Sequence, residues 1–274
     1  MRDNRAFQAA LAGLAIGLAL SVGSCRHADR SEQLRVRGVP SLDPLVADII
    51  AGLRQAHPEI EVTADCLCPP CAVPDKHSPE PFDVWLVWGR FELDQVTASG
   101  AAEFASMDEV GETRLVLVTV PELAEKVTGL CDLSDPAVTG VGLGDPSSVA
   151  VGNYAQKALE SCGLWTVVQG KMVKASTGCE TLKNLSMGTS YNAAIVLDAC
   201  VAHGSRLVHV AQELGPELAP AVPLIVAVEK AAPHPDSAAK LLEFLRGPQG
   251  RQVLDRSRVS PVGSAADKQT ESGR

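Results

Sequence analysis

Gln33 to Val39, read as QLRVRGV, alternates apolar and polar positions, the two-residue period of a strand with one buried face. Ser41 to His57 then sets Leu45, Ile49, Ile50 and Leu53 on one helical stripe, with Ser41 or Asp43 in position to cap the helix and Pro58 to stop it. Glu59 to Ala64 reads as a second strand. Phe82 to Trp88 and Leu115 to Val120 are apolar runs too short for helices, which predicts buried strands. Trp85 and Trp88 fall at strand spacing, so packing is their expected role. Val138 to Leu143 is a short strand turned by Asp145-Pro146, and Gly152 to Cys162 carries Ala155, Ala158 and Leu159 on one helical face. Strands follow at Ala193 to Leu197, Leu207 to Val210 and Leu224 to Val228, then helices at Ser237 to Arg246 and Gly250 to Arg256. Strands alternating with helices predict an α/β fold with parallel pairing.

One stretch breaks the pattern. Cys66 to Pro81, CLCPPCAVPDKHSPEP, is too rich in proline for a helix or a central strand. The polar residues 263–274 are expected to be disordered.

Composition narrows the class. The chain has 274 residues, 46% apolar and 21% charged, enough for a filled core and one or two domains. Its net charge of −9 comes without a basic patch, which argues against nucleic acid as a partner. Aromatics at 4% leave little for stacking platforms. No G-x-S-x-G elbow, P-loop or H-E-x-x-H is present, so an enzyme is not expected.

The amino terminus carries Arg2 and Arg5, then an uncharged apolar run from Ala6 to Ser24, then Val22-Gly23-Ser24-Cys25 before a polar stretch. A basic flank, an apolar core and small residues before a cut are the parts of an export signal. The closing cysteine resembles the bacterial lipobox, which implies lipidation at Cys25; the other reading is an uncleaved membrane anchor. Both put the rest of the chain outside the cytoplasm. The expected layout is a signal peptide over 1–24 and a tether over 25–32. Removing 1–24 takes away two Arg and one Asp and leaves a net charge of −10, so lipid rather than surface charge would hold the protein to the membrane. Of eight cysteines, seven remain if Cys25 is lipidated, and an odd number cannot all pair.

Gly140 to Leu159, GVGLGDPSSVAVGNYAQKAL, reads as strand, tight turn, small-residue loop and helix. That order aims backbone N–H groups at one spot, an anion site without lysine or arginine. The stretch resembles the molybdate-binding proteins of bacterial ABC importers, whose box runs G-D-P, a spacer, then P-x-G-x-Y-A. Here the box is Gly144-Asp145-Pro146, then Ala150-Val151-Gly152-Asn153-Tyr154-Ala155, with Ala150 where the family usually has proline. Gly38 to Leu42, Pro79 to Val84 and Phe244 to Gln249 are similar to further stretches of that family, and the likeness spans about 34–262.

The resemblance implies a two-lobed clamp of the type II periplasmic-binding-protein class, each lobe a mixed sheet flanked by helices. Lobe one would take 33–115 and 224–265, lobe two 116–223, with 266–274 a disordered tail. Crossing segments near Leu115 to Val118 and Val222 to Leu224 would form the hinge. It further implies a monomer that binds a small inorganic ligand, needs no cofactor and passes its ligand to an importer permease. The ligand positions carried over are Ser41, Cys68, Cys71, Val151, Gly152, Cys179 and Leu197.

The chain departs from the family at several of these positions. A Ser/Thr-rich loop is replaced by Cys68-Pro69-Pro70-Cys71, a backbone contact falls at Cys179, and a tyrosine position falls on Leu197, with Cys200 three residues on. Thiolates suit soft metals or a metalloid such as arsenite, which makes Cys66, Cys68, Cys71 and Cys179 candidate metal ligands, with His77 nearby. Alternatively Cys68 and Cys71 staple the loop as a disulfide, Cys131 pairs with Cys162, and the ligand is an ordinary oxyanion. Two other functions stay open at this point: a lipid-anchored thiol sensor or resistance protein without an importer, and a thiol-exchange enzyme at Cys68 and Cys71. Asp198, after a buried strand, is either a cap or a cleft-orienting acid.

Overall fold

The computed structural model describes residues 32–66, 81–175, 177–188, 190–204 and 207–262, except the side chain of residue 179. In chain order these form β1 (Glu32–Gly38), a 3-10 turn at Pro40–Leu42, α1 (Asp43–Ala56), β2 (Ile60–Cys66), β3 (Val84–Trp88), α2 (Phe91–Ala98), β4 (Phe104–Thr113) and β5 (Leu115–Thr119). The second half continues with β6 (Val141–Gly144), α3 (Ala150–Ser161), α4 (Trp165–Gln169), β7 (Met172–Ala175), α5 (Gly178–Ser186), β8 (Ala193–Leu197), α6 (Asp198–His203) and β9 (His209–Glu213). The chain then closes with β10 (Val222–Glu229), α7 (Pro235–Arg246), α8 (Pro248–Arg256) and β11 (Ser260–Pro261).

The strands form two mixed sheets. One has the order β11-β4-β10-β3-β1-β2 and the other β7-β6-β8-β5-β9. Parallel pairing joins β1 to β2, with Leu34 opposite Val62, and β1 to β3. In the second sheet β6 pairs in parallel with β7 and β8. β5 and β10 each run antiparallel to both their neighbours. The α/β class with mixed sheets is therefore observed.

Burial explains the strands. Every residue of β3, β5 and β8 is buried, as continuous apolar runs require when both faces are covered. α1 buries Leu45, Val46, Ile49 and Leu53 while its other face meets water.

The chain crosses between the sheets at Arg114, between β4 and β5, and again along 214–221. The crossings expected near Leu115 to Val118 and near Val222 to Leu224 thus fall just before β5 and just before β10, and Leu115 to Val118 lies within an inner strand of the second sheet. The shift arises because β4 runs on to Thr113, clamped between β10 and β11. β4 itself was not expected: FASMDEVGET has no apolar alternation, and two flanking ladders hold it extended. Ser41 and Asp43 do not cap α1, whose N-cap is Leu42 without a side-chain bond.

Candidate functional site

Three strand ends deliver helix starts to one place between the sheets. β1 leads into the 3-10 turn at Pro40–Leu42, β6 leads to α3, and β7 leads to α5. Parallel strands in α/β sheets place binding crevices at such carboxyl ends. A cavity of about 430 Å³ including its mouth lies there, lined by Val39, Pro40, Ser41, Glu92, Gly144, Val149, Val151, Thr177, Gly178, Thr181, Ile195 and Val196. None of these lining residues is Lys, Arg or His.

The loop into α3 is tied by Asp145. Its carbonyl accepts the Ser148 and Val149 N–H groups, each at 3.0 Å. Its carboxylate accepts from Ser147 Oγ at 2.8 Å and from Lys174 Nζ at 2.7 Å. The Lys174 bond, then those from Ser147, hold this carboxyl down at about 2. Asn153 is the first residue of α3 whose N–H reaches back to a carbonyl, that of Val149 at 3.1 Å. The N–H groups of Val151 and Gly152 thus belong to the unsatisfied first turn. Gly152 backs onto the Gly144 carbonyl so closely that any Cβ would collide with it. The glycines of the box are there for that approach.

α5 starts under Thr177, whose Oγ1 accepts the Glu180 N–H at 3.0 Å. Thr181 Oγ1 donates to the Thr177 carbonyl at 2.7 Å, and Tyr191 donates to the Thr181 carbonyl at 2.8 Å. Burial pushes the Tyr191 phenol up to about 12, so it stays a donor. Its ring lies against Gly142, where a side chain would overlap it. These contacts fix the start of α5 toward the cavity, with Cys200 Sγ packed against Gly178.

The fourth wall is Glu92, on α2 of the other sheet. It is 2% exposed. Its Oε1 accepts the Ala150 N–H at 2.7 Å, bridging the cleft. Its Oε2 has no hydrogen-bond partner among the described residues. Burial pushes this carboxyl up to about 7. Sequence analysis missed it. The signal was present: Glu92 sits four residues before buried Val96, on the apolar stripe of a short helix. Ala150, the departure from the resembling box, now has a physical role, because proline there would have no N–H to give Glu92.

The expected site residues divide. Ser41 and Val151 line the cavity, and Gly152 stands behind it. Leu197 is fully buried and does not line it, whereas Ile195 and Val196 do. Cys200 is buried, with Sγ 4.0 Å from the Ser41 carbonyl. Cys66 is not among the cavity-lining residues: its sulfur packs against Gly38. Burial, and after it Asp43, push its thiol up to about 12. Cys25, Cys68, Cys71 and His77 lie outside the described residues, as does the Cys179 side chain. Cys131 and Cys162 are free thiols, so the expected pairing between them is not made. Asp198 accepts from Arg258 at 2.7 Å in the first turn of α6, away from the cavity lining. Among the described residues no three His, Cys, Asp or Glu side chains are grouped to hold a metal ion, and no helix is long and apolar enough to cross a membrane.

Residues 34–257 match the family of bacterial extracellular solute-binding proteins. No curated protein matches the chain. Among solved structures, the periplasmic molybdate-binding protein of Azotobacter vinelandii superposes with a TM-score of 0.66 at 14% identity, over 82% of this chain and 98% of that one. The sulfate-binding protein of Mycobacterium tuberculosis gives 0.69 at 13% identity, over 88% and 90%. The substrate-binding protein of an ABC transporter from Agrobacterium tumefaciens gives 0.71 at 16%, over 92% and 86%. These likenesses establish a two-lobed periplasmic-binding-protein fold of type II.

Proposed function

The chain belongs to the bacterial extracellular solute-binding proteins, a family that binds without turning over its ligand, and on that premise we propose that it captures a small tetrahedral oxyanion for an ABC importer. The anion sits in the cavity between the two sheets, and the permease receives it when the lobes part. One observation carries this choice of ligand: the 3-10 turn at Ser41, α3 and α5 all start at a cavity with no basic side chain among the described residues. Helix starts present N–H groups and a partial positive charge, which suit an anion already stripped of water. Ser41, Thr177 and Thr181 add hydroxyls.

Export and lipidation at Cys25 complete the proposal. The apolar run to Ser24 and the cysteine that follows support a lipoprotein held at the outer face of the membrane. Replacing Cys25 with Ala should release the protein from membranes and abolish incorporation of labelled fatty acid; unchanged membrane retention would refute the anchor.

Thermal unfolding tests the ligand class. A solute bound only by the folded state raises its Tm. Molybdate, tungstate or sulfate should raise the Tm of the purified reduced protein, and arsenite, Cu(I) and Zn(II) should not. Stabilisation by the thiophilic set alone would overturn the oxyanion reading in favour of thiol ligation.

A further inference from the structure

We propose that Glu92 is a specificity-determining residue of the cleft, and that the cleft takes up its anion together with one proton shared between Glu92 Oε2 and the ligand. This deepens the oxyanion reading and rests on it.

The geometry leaves few alternatives. Glu92 and the incoming anion address the same helix start, since Oε1 already holds the Ala150 N–H and Val151 is the next residue into the cavity. Two negative groups in hydrogen-bond reach inside a buried site repel strongly, and one must be neutralised. Among the described residues that line the cavity there is no cation to do so. β3, which packs against α2, has no titratable side chain. α3 offers Tyr154, whose phenol is itself pushed up by burial, then by Glu92 and by Glu109 of β4. Arg90, the N-cap of α2, and Asp94 within it pair with each other at 3.8 Å on the exposed side. Ser41, Thr177 and Thr181 across the cavity are neutral. A proton is therefore the remaining counter-charge among the described residues.

That proton also resolves the unpartnered oxygen. A buried carboxylate oxygen without a partner is costly. With a proton on it, Oε2 becomes a donor on a residue of the cavity wall while Oε1 keeps the Ala150 bond. The complex is the same whether the proton arrives on Glu92 or on the ligand. A dianion such as molybdate or sulfate carries none in neutral water, so it draws one from solvent. A monoprotonated oxyanion such as hydrogen phosphate brings its own.

The test is titration calorimetry of the purified protein and of its Glu92→Gln variant with sodium molybdate and with sodium sulfate, from about pH 6 to about pH 8.5. Glutamine keeps the acceptor for Ala150 and turns a permanent donor to the cavity. The wild type should lose affinity about tenfold per pH unit once above neutrality. Glu92→Gln should bind at every pH, flat across the range. Independently of any variant, the wild-type enthalpy at about pH 8 should change with the ionisation enthalpy of the buffer, in proportion to about one proton taken up per ion. Tight wild-type binding that ignores both pH and buffer overturns this inference and leaves the oxyanion reading standing. Absence of oxyanion binding by both proteins at every pH overturns the oxyanion reading and this inference with it.

Discussion

Glu92 Oε1 and the Ala150 N–H meet at 2.7 Å, joining α2 of one sheet layer to the first residue of α3 in the other. The bond has consequences for stability as well as for ligand choice. Burial pushes the carboxyl from its ordinary 4.5 to about 7. The folded protein therefore holds this proton more tightly than the unfolded chain. The contribution is fully present below 4.5 and is lost as pH rises through about 7. Urea titrations should show the wild type losing up to about 3 kcal/mol relative to Glu92→Gln over that window. Parallel pH profiles for the two proteins would show that Glu92 titrates as an ordinary surface acid.

Ala150→Pro restores the proline usual in the resembling box and removes the N–H that Glu92 accepts. Proline is tolerated at the first position of a helix, so the fold should persist. The lost bond should cost about 1–3 kcal/mol at neutral pH, because a buried acceptor is left bare. In the double variant with Glu92→Ala that cost should shrink. Equal costs in both backgrounds would place the damage in the helix rather than in the bond.

Gly152→Ala brings a methyl group against the Gly144 carbonyl. Either β6 or the start of α3 must move, at about 3 kcal/mol. Oxyanion affinity should fall by about tenfold or more, since the N–H groups of the first turn lose their aim. An Ala variant with wild-type stability and affinity would contradict the close approach.

Thiol labelling separates the cysteines by environment. Cys131 is exposed, while Cys66 is half-buried and pushed up to about 12 by burial and Asp43. Iodoacetamide on the folded protein should modify Cys131 well before Cys66, read by peptide mass spectrometry. Faster modification of Cys66 would contradict a thiol pushed up by burial.

The strands that were legible from the sequence are those with a strong periodic or continuous apolar signal, such as β3 with VWLVW and β8 with AAIVL. The loop and helix of the Gly144 to Ala155 box were legible for a different reason. Their glycines and small residues answer to a close backbone approach, which leaves a spacing in the sequence. β4 was not legible, because its extended form is imposed by β10 and β11 from remote parts of the chain. Glu92 was overlooked because a glutamate in a helix usually faces water, and only the fold brings it opposite Ala150. Leu197, at the end of β8, is buried in the core, and Ile195 and Val196 of the same strand are the residues that line the cavity.

The measurement closest to the central claim is calorimetric titration of the purified reduced protein with molybdate and sulfate at about pH 6, beside its Ser41→Ala variant. The account predicts one oxyanion per chain, bound about tenfold more weakly when the Ser41 hydroxyl is removed. An oxyanion that binds equally well without that hydroxyl, or a chain that takes Zn(II) and no oxyanion, would contradict it.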